Sequence, residues 1–150
     1  MSKVSEQLRA AVQRYFYLSY RYPERTKVYN PKSSKKETKT KYVANIEKRE
    51  DFIKKFGQEE FNRISESDEK WNKLKDIPIP HPFMWLFRHF LMIWRHCEHD
   101  LNGNKIFRPV DITQYSECFE VKFTIEEKRL MLLMKEWASS TIIELTSKDN

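Results

Sequence analysis

The residue types best suited to chemistry are histidines and cysteines that lie close together in the sequence. Such side chains bind transition metals, and His89 and His96, seven residues apart, would fall on one face of a helix. The paired Cys-x-x-Cys ligands of structural zinc sites are missing. We therefore expect no metal or other cofactor and favour a solvated helix end, where histidines complement the helix dipole. The candidate ligands are His89, His96, Cys97, His99, Asp100 and Cys118.

Groups that could carry out catalysis are poorly placed. The carboxylates of Glu59 and Glu60, like those of Glu126 and Glu127, are neighbours in sequence and would point to different faces of a helix. The hydroxyls of residues 139–141 have no base at a matching position. The chain also has no glycine-rich phosphate loop, nucleophile elbow or His-Glu-x-x-His motif. The sequence predicts a protein that is not an enzyme.

The composition favours a helical protein. The 150 residues include only two glycines, and Asn102–Gly103 is the one pair typical of a tight hairpin turn. Hydrophobic residues make up 39% of the chain and aromatic residues 14%, which suffices for the core of a single domain. We expect an all-α fold of five to six helices in a small orthogonal bundle, with a flexible basic arm.

Targeting signals and disulfides are not expected. The chain has two cysteines, and no apolar stretch follows the first residues, so a cytoplasmic location is predicted. The most apolar stretch, Phe83 to Trp94, is interrupted by Arg88 and His89. It is also shorter than the roughly 20 apolar residues that a membrane span needs. We predict no membrane association.

The distribution of charged and apolar residues divides the chain into four segments. Residues 1–22 have apolar side chains at helical spacing and are predicted to form an amphipathic helix. Residues 23–41 are the flexible basic arm, and residues 42–76 are peripheral polar helices, the first of which should stop at Gly57. Residues 77–150 are predicted to form a compact helical module, onto which the first helix packs.

The basic arm accounts for the charge of the protein. The formal net charge is +6, and residues 21–41 hold eight basic residues against Glu24 and Glu37. Frequent proline, serine and threonine indicate a mobile loop that keeps the protein soluble. An acidic partner surface or nucleic acid is an alternative ligand, the latter less favoured because no reading motif accompanies the charges. The basic residues are Arg21, Arg25, Lys27, Lys32, Lys35, Lys36, Lys39 and Lys41.

An aromatic helix is expected after the prolines at positions 78, 80 and 82. Proline fixes φ and disfavours helix at the preceding residue, so the helix can begin only near Pro82. The following residues are apolar almost all round the helix, more than one small core can cover. The periodicity favours core packing for any single residue, but we expect part of this helix to bind a partner helix. Exchange of Trp85 and Phe87 for alanine should then remove binding without loss of helicity. The expected binding residues are Phe83, Trp85, Phe87, Phe90 and Trp94.

Two further helices are predicted towards the C terminus. Asp111 can cap a short helix, with Gln114 in the reciprocal position. Residues 119–123 are interpreted as a connector, because no second strand is available to pair with them. Thr124 and Glu127 form a capping box that should start a long amphipathic helix.

The order of these features, from Pro78 to Leu145, resembles the C-terminal part of tail assembly chaperones of long-tailed bacteriophages. The shared pattern is a proline-rich approach, an aromatic helix, a loop, a short helix that begins with proline, and an amphipathic last helix. About half of the chain takes part in this resemblance. The residues that carry it are Trp85, Phe87, Leu91, Arg95, Arg108, Pro109 and Thr124–Glu127.

The resemblance implies a helical protein that covers the long, apolar tape measure protein during tail assembly, in the cytoplasm of the host cell. Flexible methionine and planar aromatic side chains would suit a groove that accepts many helical sequences. Self-association through the same surface is a further expectation. The alternative is a small helical inhibitor that binds a host protein or nucleic acid through its basic arm.

Overall fold

The computed structural model describes residues 3–147 and is 64% helical. The predicted mainly helical protein is confirmed, but the all-α class is wrong, and the described chain has seven α-helices rather than five or six. The orthogonal bundle stays a prediction. Within residues 3–147, no helix is both long enough and apolar enough to cross a membrane. The elements are α1 (Lys3–Ser19), β1 (Arg21–Asn30), β2 (Lys35–Ala44), α2 (Asn45–Phe56), α3 (Gln58–Ser67), α4 (Glu69–Asn72), α5 (Met84–His96), α6 (Pro109–Phe119) and α7 (Ile125–Ser147).

The segment predicted as a flexible basic arm is a β-hairpin. Strands β1 and β2 pair antiparallel along their whole length, from Arg21 opposite Ala44 to Asn30 opposite Lys35. Valine, threonine and tyrosine recur in both strands, and these residues favour extended structure. At the turn, the Asn30 carbonyl accepts a hydrogen bond from the backbone N–H of Ser34, at 2.9 Å. The loop-like composition of this segment was thus misleading. The first helix, predicted to reach residue 22, ends at Ser19, because β1 begins at Arg21.

The chain forms two compact units. The aromatic unit contains residues 3–13 and 77–141, and the hairpin unit contains residues 14–76 and 142–147. Helices α1 and α7 therefore each have residues in both units.

The core of the aromatic unit is built around α5. A single 3₁₀ turn, His81–Phe83, leads into this helix, as the prolines predicted. Its buried side chains recur at helical spacing and therefore lie on one face of the helix; they are Leu86, Phe87, Phe90, Ile93 and Trp94. Phe90 is completely buried, and its ring lies 5.4 Å from that of Phe107. The buried residues of the unit include Leu8, Ala11, Val12, Leu86, Phe87, Phe90, Ile93, Trp94, Phe107, Ile112, Phe123, Met131, Met134, Trp137 and Ala138.

Side-chain caps form the N-terminal starts of α6 and α7. The predicted box at α7 is confirmed: the Thr124 hydroxyl accepts from the Glu127 N–H at 3.1 Å, and the Glu127 carboxylate accepts from the Thr124 N–H at 2.8 Å. The predicted cap at α6 is wrong, because the cap position is occupied by Arg108, three residues before Asp111, and the helix begins at Pro109. Asp111 instead reaches back, and its Oδ2 accepts from the Arg108 N–H at 2.6 Å.

The hairpin unit has a smaller core made of Leu18, Phe61 and Leu74. Gly57 has a φ of +92°, which suits glycine, and it both ends α2 and precedes α3. Two half-buried arginines stabilise the segment that follows α4 by donating to backbone carbonyl oxygens. Arg14 donates to the Lys75 carbonyl at 2.6 Å, and Arg49 donates to the Leu74 carbonyl at 3.1 Å.

A buried asparagine holds the base of the hairpin. Asn45 follows β2 directly and is only 4% exposed. Its amide nitrogen donates to the Tyr17 carbonyl at 2.9 Å, and its amide oxygen accepts from the Tyr22 hydroxyl at 2.8 Å. These bonds join the end of α1, the start of β1 and the start of α2. A two-stranded hairpin alone is marginally stable, so this anchor explains an ordered basic segment.

Candidate functional site

The candidate site is a surface groove of about 480 Å³ in the aromatic unit, between α5 and α6. We call it the α5–α6 groove. Its apolar wall consists of Met92, Ile93, Tyr115 and Phe119. Its size falls within the roughly 300–1,000 Å³ of typical binding pockets. The remaining lining residues are polar or weakly polar: His96, Cys97, Glu98, Arg108, Asp111, Gln114 and Cys118.

Helix α5 presents a second stripe beside its buried face. Trp85, His89, Met92 and His96 follow one another at spacings of four, three and four residues, so they lie along one side of the helix. Met92 is 38% exposed and Trp85 is 47% exposed, whereas His89 is half-buried. The stripe therefore combines exposed apolar surface with one partly buried imidazole.

A histidine–tyrosine contact fixes α6 against this stripe. The His89 Nδ1 and the Tyr115 hydroxyl oxygen are 2.7 Å apart, and the His89 ring also contacts Trp85 and Phe123 edge-on. Burial lowers the pKa of His89 and raises the pKa of Tyr115, which favours the neutral form of each. The pair is a hydrogen-bonded brace that positions Phe119, one turn further along α6.

Only part of the predicted partner-binding set reaches the surface. Phe87, Phe90 and Trp94 are buried in the core of the aromatic unit, whereas Phe83 is half-buried and Trp85 is exposed. The expectation that alanine at positions 85 and 87 removes binding without loss of helicity stays a prediction, but Phe87 is 5% exposed, so its exchange would also remove a core side chain. Seven methionine and tryptophan residues of the resembling region could supply the expected groove. Three of them, Met84, Trp85 and Met92, are exposed, and four are buried: Trp94, Met131, Met134 and Trp137.

The contribution of α6 to the groove was not predicted. The sequence indicated a short helix after Asp111 and a connector at residues 119–123, yet Tyr115 lines the groove and Phe119, the last residue of α6, is 58% exposed. The signal that could have found the groove was the stripe from Trp85 to His96, which flanks the buried face of α5. A stripe that includes exposed apolar side chains, beside the core face of the same helix, indicates a second contact surface.

The candidate metal ligands are not brought together. Within the part of the chain that the structure describes, no three His, Cys, Asp or Glu side chains form a group that could hold a metal ion. His89 is engaged with Tyr115, and the Cys97 thiol donates to the Ile93 carbonyl at 3.2 Å. Asp100 stabilises a turn, because its carboxylate accepts from the backbone N–H groups of residues 102 and 104.

The two cysteines of the α5–α6 groove should differ in reactivity. Burial raises the pKa of the Cys97 thiol, and the nearby Asp111 carboxylate raises it further. Cys118 is exposed. We expect iodoacetamide at pH 7.5 to alkylate Cys118 several-fold faster, because Cys97 is half-buried and its raised pKa lowers the thiolate fraction. Peptide mass spectrometry over time measures both rates; equal rates in the folded protein would contradict the structure.

The basic residues of the hairpin are distributed over two faces. Side chains alternate along each strand, and the register places directly paired residues on the same face. The face that carries Arg21, Arg25, Lys27 and Lys36 is called the basic face. The opposite face, which carries Lys35, Lys39 and Lys41 together with both glutamates, is called the mixed face. Lys32 lies in the turn between the strands.

Comparisons of the chain with protein-family models, curated proteins and solved structures gave no match.

Proposed function

We propose that this protein is a non-catalytic binding protein, and that its α5–α6 groove holds an apolar stretch of a partner helix. The observation that carries this proposal is the groove itself, where Met92 of α5 and Phe119 of α6 are both exposed. A helix that docks in a groove inserts large apolar side chains at three- and four-residue spacing. The apolar wall can receive such side chains, and the polar lining can bond the flanking residues.

The partner that we propose is a phage tape measure protein, so the protein would act as a tail assembly chaperone in the cytoplasm of the host cell. A chaperone of this kind must accept many segments of one long helix. Methionine repacks easily because its thioether chain is unbranched and flexible, and aromatic rings offer large contact areas at little entropic cost. Met84, Trp85 and Met92 supply exposed surface of this type on α5, and Met92 lines the groove together with Phe119.

A paired exchange in the groove tests this function. We expect Met92→Ala combined with Phe119→Ala to reduce capture of the tape measure protein at least tenfold, because buried aromatic anchors dominate helix docking. The measurement is quantitative co-purification from cells that co-express this protein and a tape measure protein of the same genome.

The matched control removes equal numbers of exposed apolar side chains elsewhere. Val4→Ala combined with Ile143→Ala changes two exposed residues that do not line the groove. Capture should survive this control. The proposal fails if the groove variant, with an unchanged melting temperature, captures the tape measure protein as well as the control does, or if neither the natural protein nor the control captures it.

A further inference from the structure

We propose that the basic face of the hairpin binds single-stranded nucleic acid. This inference is independent of the α5–α6 groove, since every residue that it uses belongs to the hairpin unit. It rests on the arrangement of charges and rings that the strand register creates.

The two faces of the hairpin differ in charge. The basic face has four cationic side chains and no carboxylate. Both carboxylates of the hairpin, Glu24 and Glu37, lie on the mixed face, and each accepts a hydrogen bond from a neighbouring side chain. Lys48 donates to Glu24 at 2.8 Å, and Asn30 donates to Glu37 at 2.7 Å. The register thus produces one face whose potential is positive without internal compensation.

Most cations of the basic face remain available to a ligand. Arg21, next to the base, pairs with Glu47 of α2. Arg25, Lys27 and Lys36 are exposed, and within residues 3–147 none of these three side chains makes a hydrogen bond or an ion pair. A row of solvated cations without carboxylates is complementary to a phosphate backbone, which gains affinity by releasing its counterions.

Two exposed tyrosines select single strands over duplexes. Tyr29 and Tyr42 are 59% and 62% exposed, and both lie on the basic face. Tyr42 is opposite Pro23, so the two rings stand six strand positions apart, which corresponds to about 20 Å. Unpaired bases can stack on such rings, whereas duplex bases are already stacked on each other. The spacing between the rings leaves room for intervening nucleotides along the row of cations.

The anchor at the base of the hairpin keeps this face in one shape. Asn45 and Lys48 of α2 bond Tyr22 and Glu24 on the mixed face, and α2 reaches the basic face at the base, where Arg21 pairs with Glu47. Further from the base, Arg25, Lys27, Tyr29 and Lys36 are exposed, so a ligand would find these side chains already in a fixed register. Such preorganisation reduces the entropy lost on binding.

Binding of a 12-nucleotide oligothymidylate, followed by fluorescence anisotropy in 50 mM salt, tests the proposal. The basic-face variant is Arg25→Gln, Lys27→Gln and Lys36→Gln. The mixed-face variant, Lys35→Gln, Lys39→Gln and Lys41→Gln, removes the same charge from the same hairpin and is the matched control. We expect the basic-face variant to bind at least tenfold more weakly than the control. Its slope of log affinity against log salt should be shallower by about 2, because single strands contribute roughly 0.7 per phosphate.

A second pair of variants tests stacking. Tyr29→Thr combined with Tyr42→Thr keeps residues suited to strands but removes both rings, and each loss should weaken oligothymidylate binding about tenfold. Val28→Thr on the mixed face is the control and should bind normally. Cross-strand nuclear Overhauser effects establish that the hairpin persists in every variant.

Several results would overturn the proposal. Equal losses for the basic-face and mixed-face variants would mean that net charge alone attracts the oligonucleotide. A duplex of the same length that binds as tightly, with no effect of the tyrosine exchanges, would exclude a single-strand site. A poly-glutamate peptide that competes as well as oligothymidylate would indicate an acidic protein ligand, and no binding at 50 mM salt would exclude the site altogether.

Discussion

Replacing Phe90 by alanine is expected to lower the free energy of unfolding by about 3–5 kcal/mol, the range for removal of a fully buried phenyl ring. The side chain has no exposed surface, and its ring neighbours are Phe87 at 6.1 Å, Trp94 at 5.8 Å and Phe107 at 5.4 Å. The exchange would leave a cavity in the middle of this aromatic cluster. Urea unfolding followed by far-ultraviolet circular dichroism measures the loss.

Met92→Ala is the control for this prediction, because Met92 lies on the same helix and is partly exposed. It should lower the unfolding free energy by about 1 kcal/mol or less. Similar losses for the two variants would mean that Phe90 is not part of a close-packed core. The pair also separates the two roles of α5, since Met92 should affect partner capture and Phe90 should affect stability.

The two faces of α5 show what its sequence could predict. The prolines before it predicted where the helix starts, because proline restricts the backbone in any context. Which aromatic residue faces the core depends instead on neighbours that are distant in sequence. Phe90 packs on Phe107, and Trp85 packs on Phe123 at 5.6 Å, yet the two positions have the same apolar character in the sequence. The stripe from Trp85 to His96 could have indicated one wall of the groove but not the groove itself, since α6 forms the other wall.

The hairpin was not predicted, because the composition of this segment is typical of a loop, whereas the register of its two strands is that of a regular hairpin. Lysine, proline and serine are frequent in loops, and the alternation of charges with valine, threonine and tyrosine is weak in each strand alone. The pairing becomes favourable because α2 holds both strand ends, with Val43 and Ala44 buried beside Asn45. The segregation of both glutamates onto one face follows only from the register. The sequence predicted how much charge this segment carries but not which face of the hairpin carries it.

Asn45→Ala is expected to destabilise the hairpin unit by about 2 kcal/mol and to release the base of the hairpin. Burying polar groups without partners costs roughly 1–3 kcal/mol each. The exchange removes the donor to the Tyr17 carbonyl and the acceptor for the Tyr22 hydroxyl, which retains only its contact with Lys48 at 3.0 Å. With its base free, the hairpin should open more often, so trypsin should cleave after Arg25 and Lys27 at least tenfold faster.

The control is Asn62→Ala on α3, where the exposed amide only accepts a hydrogen bond from Gln58, at 2.9 Å. Its unfolding free energy should stay within about 0.5 kcal/mol of the natural protein, and its tryptic pattern should not change. If Asn45→Ala behaved like this control, Asn45 would not hold the hairpin. The strand ladder and the buried Val43 and Ala44 would then suffice to keep the register of the basic face. The same exchange links the stability of the hairpin unit to its affinity for oligothymidylate, and both should fall together.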